Sequence, residues 1–261
     1  MSYTPTSIEK EVTLARGDFL KLSGDGIFAT QQGEGVTAGR ESVFLRLQNC
    51  NLACGKDDQG WSCDTWYTWD KATPEYWRET SNVGVQEVVD KIEECWDVNF
   101  GKVLLPNLVI TGGEPLLQQG KIIALLSMLP GWDIEIETNG TVAPKPELTS
   151  CQINCSPKLS SSGNSLAQRR KIDVLKRIAK MPNYWLKFVI TDEQFTSDIE
   201  EVQELVHISD AQDERVLLMP EGSDPDKLSR LFERLMPVAE NFGYSVVQRN
   251  HVFWYGNKRR T

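Results

Sequence analysis

With 261 residues, 40% hydrophobic and 25% charged, the chain is long enough to bury a core as one α/β domain or two small ones. Its net charge of −9 argues against a broad surface for nucleic acid or an anionic membrane, since both need a positive field. No apolar run approaches membrane-spanning length, and the start, MSYTPTSIEKEV, lacks a basic segment followed by an apolar stretch. The expected location is therefore the cytoplasm, whose reducing conditions keep thiols free.

Residues 1–24 read as an irregular N-terminal extension, with a candidate strand at 11–14, ahead of a core domain at 25–261. The polar, glycine-rich stretch 24–39 reads as a functional loop. A first apolar strand follows at 42–48, and 49–74 reads as an irregular loop. Val85, Val88, Val89 and Ile92 recur at helical steps. Further strands are expected at 108–111, 133–137, 152–155, 185–190, 215–219 and 244–248. Helices are expected between them at 116–129, 167–179, 199–207 and 225–241. Strands alternating with helices imply βαβ units and a parallel sheet, with function gathered at the strands' C-terminal ends. About six core strands are too few to close a TIM barrel. The predicted class is α/β, a partial, open (β/α) barrel of mainly parallel strands.

Cys50, Cys54 and Cys63 fall in the loop after the first strand, spaced C-x3-C-x8-C. A [4Fe-4S] cubane needs an outer ligand on every iron, so three cysteines leave one iron open. An open iron can be chelated by the amino and carboxylate groups of S-adenosylmethionine (SAM), which then breaks to a carbon radical. A structural zinc site is the alternative. It wants four ligands and, with His207 and His251 far downstream, would borrow Cys95, Cys151 or Cys155. Buried structural thiols are a third reading, and the cysteines alone leave all three open.

The second core strand ends in TGGEP (111–115). Its glycines would let a ligand approach the backbone, and Pro115 suits the first turn of a helix. An ordinary strand-to-helix turn is the plain reading of that segment. ETNG (137–140) and SPK (156–158) follow the next two strands. Arg46 lies in the otherwise apolar first strand. It costs desolvation there unless it meets an anion, or else it faces outward.

The cysteine loop and TGGEP on neighbouring strand ends resemble the radical SAM superfamily. Adding TQQGEG (30–35), VFLRLQNC (43–50), CDT (63–65), ETNG and SPK, the chain resembles the 7-carboxy-7-deazaguanine synthase family from about residue 24 to its C-terminus. That resemblance implies a lyase of deazapurine (queuosine-type) biosynthesis that converts 6-carboxy-5,6,7,8-tetrahydropterin to 7-carboxy-7-deazaguanine with loss of ammonia. The reduced cluster would cleave SAM to a 5′-deoxyadenosyl radical, which takes hydrogen from the pterin carbon bearing the carboxylate. Cys50, Cys54 and Cys63 would hold the [4Fe-4S] cluster, and Thr65 a Mg2+ ion. Ser62, Cys63, Asp64, Gly113, Ser156, Pro157, Lys158, Met219, Pro220, Glu221 and Gly222 would meet SAM. Gln31, Gln32, Gly33, Arg46, Thr111, His251 and the terminal Thr261 would meet the pterin.

The resemblance implies no catalytic side chain beyond these ligands. It also implies a homodimer and an external electron donor such as flavodoxin, with no direct nucleic-acid or membrane partner. The x8 spacing departs from the superfamily's usual x2, although longer insertions occur at this place in the synthase family. Two rival functions share part of the motif set. A radical SAM activase making a glycyl radical on a partner protein would keep the cysteines and TGGEP without TQQGEG or Arg46. A zinc-stabilised binding module would have no catalysis.

Overall fold

The computed structural model describes residues 19–101, 105–256 and 258; the candidate strand at 11–14 and Thr261 lie outside them. Strand β1 (Phe19–Gln31) pairs antiparallel with β2 (Glu41–Leu47) on one side. On its other side it pairs antiparallel with β3 (Thr80–Gly84), which follows the short helix α1 (Pro74–Arg78). From β2 onward every pairing is parallel. The strands are β4 (Asn107–Gly112), β5 (Asp133–Thr138), β6 (Gln152–Cys155), β7 (Tyr184–Ile190), β8 (Val216–Pro220) and a two-residue β9 (Ser245–Val246). Their order in the nine-stranded sheet is β3-β1-β2-β4-β5-β6-β7-β8-β9, so the barrel is open, with β3 and β9 at its edges.

Helices α2 (Val85–Asn99), α3 (Gln119–Leu126), α4 (Leu166–Arg169), α5 (Ile172–Ile178), α6 (Phe195–Ser209) and α7 (Pro225–Phe242) fill the crossovers, and α8 (Asn250–Tyr255) follows β9. Local signals explain them. Helix α7 starts where the Asp224 carboxylate accepts the N–H groups of Asp226 and Lys227 at 2.9 and 3.0 Å, with Pro225 in the first turn. Its buried residues, Leu228, Leu231, Leu235 and Ala239, recur at three- and four-residue steps and face the sheet.

The two-residue period of the strands separates the sheet's faces. Val43, Leu45 and Leu47 of β2, Leu108 and Ile110 of β4, and Leu186, Phe188 and Ile190 of β7 are buried in the core shared with the helices. The intervening residues, Phe44, Arg46, Thr111, Glu137, Asn154, Lys187 and Met219, lie on the opposite face and line a single cavity. The core face is apolar and the inner face is polar, which marks the inner face as the working one.

The chain departs from the sequence reading in several places, and α1 and β3 fall where no such elements were expected. Residues 24–31, expected in a loop, continue β1 past the expected boundary at 24. Gly24 and Gly26 have positive φ (64° and 70°), and the register with β2 shifts between Leu22 and Ile27, so the glycines mark a bulge inside a strand. The helix expected over 167–179 is two helices, because Arg170 and Lys171 leave the helical region while Arg170 pairs with Glu204 of α6. The helix after TGGEP opens as a 3-10 turn at Pro115–Gln118, where the Glu114 carboxylate accepts the Leu116 N–H. Helix α8 was not expected at all.

Candidate active site

A cavity of about 640 Å3 lies at the C-terminal ends of the parallel strands. The cysteine loop forms one wall. It leaves β2 through Gln48, whose buried amide donates to Tyr67 O, Tyr76 O and Thr80 Oγ1 at 3.2, 3.1 and 2.9 Å. The chain then turns at Asn49 (φ 81°), whose Oδ1 accepts from the Tyr76 hydroxyl at 2.6 Å. Cys50, Cys54 and Cys63 all line the cavity and none is in a disulfide. Donors face two of the sulfurs: Leu52 N–H and Asn139 Nδ2 lie 3.5 and 3.7 Å from Cys50 Sγ, and Asn164 Nδ2 lies 3.2 Å from Cys54 Sγ. Cys63 Sγ is 3.4 Å from the Thr65 hydroxyl.

Burial pushes the Cys50 thiol up to about 12, with Glu114 and the other two thiols adding to it and the Leu52 N–H opposing. Burial also raises Cys54, against the opposing charge of Lys158. Among the described residues, no three His, Cys, Asp or Glu side chains are grouped so as to hold a metal ion. A zinc site needs such convergence, whereas the thiolates of a cubane each take a different iron. Three free thiols lining the cavity, two of them with N–H groups facing the sulfur, fit the cluster better. Cys95 is half-buried on α2, and Cys151 and Cys155 belong to the core on the far face of the sheet, so none of them lines the cavity.

The TGGEP segment locks this wall to the next strand ends. A Cβ on Gly112 or Gly113 would overlap the backbone of Leu47 or Asn49, and Glu114 N–H donates to Asn49 O at 2.8 Å. The glycines therefore serve close approach of the cysteine loop itself, beyond the ligand access expected of them, while Gly113 still lines the cavity. The buried Glu114 carboxylate accepts Leu116 N–H, Thr138 Oγ1–H and Asn139 N–H at 3.0, 2.8 and 2.7 Å. Burial raises its pKa and these donors oppose the rise.

The other expected residues gather around the same space. Ser62 and Asp64 are exposed on the rim, and Thr65, Gly113, Ser156, Lys158, Met219, Glu221 and Gly222 line the cavity. Lys158 Nζ donates to Ser156 Oγ at 2.9 Å and sits 5.6 Å from the Trp61 ring centroid. Trp66 and Trp69 line the cavity beside Trp61. Pro157 and Pro220 are buried behind the lining rather than in it.

Gln31, Gln32, Gly33, Arg46, Thr111 and His251 line the same cavity. Gln32 Nε2 and Thr111 Oγ1 donate to the two oxygens of Glu137 at 3.3 and 2.6 Å. Arg46 lies 5.3 Å from the Phe28 ring centroid and has no carboxylate partner among the described residues. Helix α8 carries His251 to Gly33, where the Asn250 N–H donates to Gly33 O at 2.8 Å. Burial lowers the His251 pKa, Glu34 and Asp64 oppose that, and Arg249 and Lys187 reinforce it.

Sequence reasoning missed the ionic cluster that ties the walls together. Glu34 pairs with Lys187 of β7 and with Arg249, 3.2 Å away. Arg249 also donates to Asp64 at 2.6 Å and to Gly222 O at 2.7 Å, joining the TQQGEG loop, the cysteine loop and the end of β8. Lys187 carried the signal already noted for Arg46, a cation in an apolar strand. Burial disfavours the charged form of Glu34, yet Lys187, Arg249 and His251 outweigh it and hold the carboxyl well below the usual range. Its contribution to stability is thus full above its unfolded pKa and is lost as pH falls through the folded one. Glu34→Gln is expected to destabilise the protein by about 3 kcal/mol at pH 7, because the buried Lys187 loses its ion-pair partner and Arg249 loses one of its two carboxylates. In urea denaturation the gap to wild type should narrow below about pH 4; a gap that is constant or widens there contradicts this account.

An open, mainly parallel barrel with three free cysteines after its first parallel strand and TGGEP after the next is the arrangement expected of a radical SAM enzyme. No protein-family model matches the chain. A 7-carboxy-7-deazaguanine synthase of Pyrobaculum aerophilum is 32% identical over 237 residues, covering 89% of this chain and 94% of that protein. Synthases of the same description from Halobacterium salinarum (31% identical, 94% and 95% covered) and Rhodopirellula baltica (30%, 90% and 86%) match similarly. The fold is similar to the crystal structure of QueE from Escherichia coli, with a TM-score of 0.60 at 22% identity over 88% of this chain and 95% of that one. The chain belongs to the 7-carboxy-7-deazaguanine synthase family.

Proposed function

We propose that the chain converts 6-carboxy-5,6,7,8-tetrahydropterin to 7-carboxy-7-deazaguanine with loss of ammonia, using a [4Fe-4S] cluster, SAM and Mg2+. The observation that carries this reading is one cavity lined by the three cysteines, by an Arg46 with no carboxylate partner among the described residues, and by a Glu137 held by two donors. When bound, the cluster and SAM supply a hydrogen-abstracting carbon radical. The chain's own residues bind, orient and exclude water. Cys50, Cys54 and Cys63 hold the cluster. Ser62, Asp64, Gly113, Ser156, Lys158, Met219, Glu221 and Gly222 form the SAM side, with Pro157 and Pro220 shaping it from behind.

Arg46 offers a planar fork to the pterin carboxylate. Glu137 offers two acceptor oxygens to the amino and ring N–H groups of the pterin edge, with Gln32 and Thr111 fixing its orientation. Gln31, Gly33 and His251 complete the substrate side. A glycyl-radical activase needs neither Arg46 nor the Gln32–Glu137 pair.

The Thr65 hydroxyl, beside Cys63, serves as a magnesium ligand whose remaining octahedral positions come from substrate oxygens and water. Thr65→Ala should weaken magnesium stimulation of turnover while leaving cluster assembly intact. Equal magnesium titration curves for wild type and variant refute that role. The same reading takes in a homodimer, an external donor such as flavodoxin and a cytoplasmic location. No helix among the described residues is long and apolar enough to cross a membrane, and the net charge of −9 disfavours direct nucleic-acid binding. Product analysis by mass spectrometry tests the function directly.

A further inference from the structure

The eight residues between Cys54 and Cys63 are not a free loop. Gly55 N–H donates to Ser162 O at 3.2 Å and Trp61 N–H to Ser161 O at 3.1 Å, so the insertion is strapped to the segment that follows SPK. That segment ends in the buried Asn164, 110 positions from Cys54 in sequence. Its Oδ1 accepts the Ala53 N–H at 3.0 Å. Because a backbone N–H requires an acceptor, this bond fixes which way the amide faces. The Nδ2 group is then turned to Cys54 Sγ at 3.2 Å, with Ser162 Oγ at the same distance and Ser162 O at 3.5 Å as its other acceptors. Cys63, by contrast, has the Thr65 hydroxyl near its sulfur.

We infer that Asn164 is a positioning residue for the cluster, whose amide N–H donates to the Cys54 thiolate and raises the reduction potential of the bound [4Fe-4S] centre. The inference rests on the proposed cluster at Cys50, Cys54 and Cys63. Hydrogen bonds to the sulfurs are among the factors that set cluster potentials. Reduction adds an electron that is shared with the thiolate sulfurs, so a donor at sulfur stabilises the reduced state more than the oxidised one. Removing the donor lowers the potential and makes the centre harder to reduce.

The test is a redox titration of the anaerobically reconstituted holoprotein, followed by the EPR signal of the reduced cluster, after iron and sulfide content have been measured. Asn164→Asp keeps the acceptor for Ala53 N–H but loses the donor, and Asn164→Ala loses both. Both variants should retain the cluster and titrate at a lower midpoint than wild type. Ser162→Ala removes the hydroxyl acceptor of the amide and should leave the midpoint where it is. An unchanged midpoint in both Asn164 variants overturns the inference, as does an equal shift in Ser162→Ala. Loss of the cluster from both Asn164 variants overturns it too, by assigning Asn164 to loop folding alone. A wild-type protein that takes up no iron and sulfide defeats the proposed cluster itself, a result distinct from a loaded cluster with an unmoved potential.

Discussion

Replacing Cys50, Cys54 or Cys63 singly with alanine should abolish SAM cleavage, whereas replacing Cys95, Cys151 or Cys155 should leave it largely intact. The first three thiols all line the cavity, and in the proposed cluster each would take a different iron. The other three are held elsewhere: Cys95 on α2, and Cys151 and Cys155 in the core against the helices. Their loss costs packing without removing a ligand. The check is 5′-deoxyadenosine release by the reconstituted, reduced protein, with iron content measured in parallel. Full cluster content and SAM cleavage in a Cys63 variant would mean that the eight-residue spacing misleads and another cysteine is the ligand.

Arg46→Ala should reduce pterin turnover by at least about tenfold, the factor that corresponds to 1.4 kcal/mol. The guanidinium lies on the inner face of β2 against Phe28, with no protein carboxylate to neutralise it among the described residues. Truncating one partner of a buried charge pair typically costs about 2–5 kcal/mol, so tenfold is the conservative bound. Uncoupled SAM cleavage should persist, because the cysteine loop and TGGEP are untouched. Arg46→Lys should rescue only partly, since a point charge cannot reproduce the two parallel hydrogen bonds of the fork. Normal pterin turnover by Arg46→Ala would remove the substrate argument at its strongest chemical step.

Much of the fold was legible because it is written locally. Val43, Leu45 and Leu47 alternate with Phe44 and Arg46, and that period alone separates the core face of β2 from the cavity face. The cysteines, TGGEP, ETNG and SPK were legible for a related reason, since each directly follows a strand and lands on the same rim. What was not legible depends on partners distant in sequence. Gly24 and Gly26 look like a loop until β2 is placed beside them and the stretch becomes a bulged strand. Helix α8 has one buried residue, Val252, and therefore no apolar stripe to announce it. Glu34, Lys187 and Arg249 each stand out as charges, but their pairing spans 153 and 215 positions and exists only once β7 and the C-terminal segment have closed on the TQQGEG loop.

The central claim is that one cavity couples SAM cleavage at the cysteine wall to ring contraction of a pterin held by Arg46 and Glu137. The most direct test is mass-spectrometric product analysis after the reduced, reconstituted protein is incubated anaerobically with SAM, Mg2+ and 6-carboxy-5,6,7,8-tetrahydropterin. Formation of 7-carboxy-7-deazaguanine with release of ammonia is the predicted result. Recovery of the pterin unchanged, while SAM is cleaved, would contradict it.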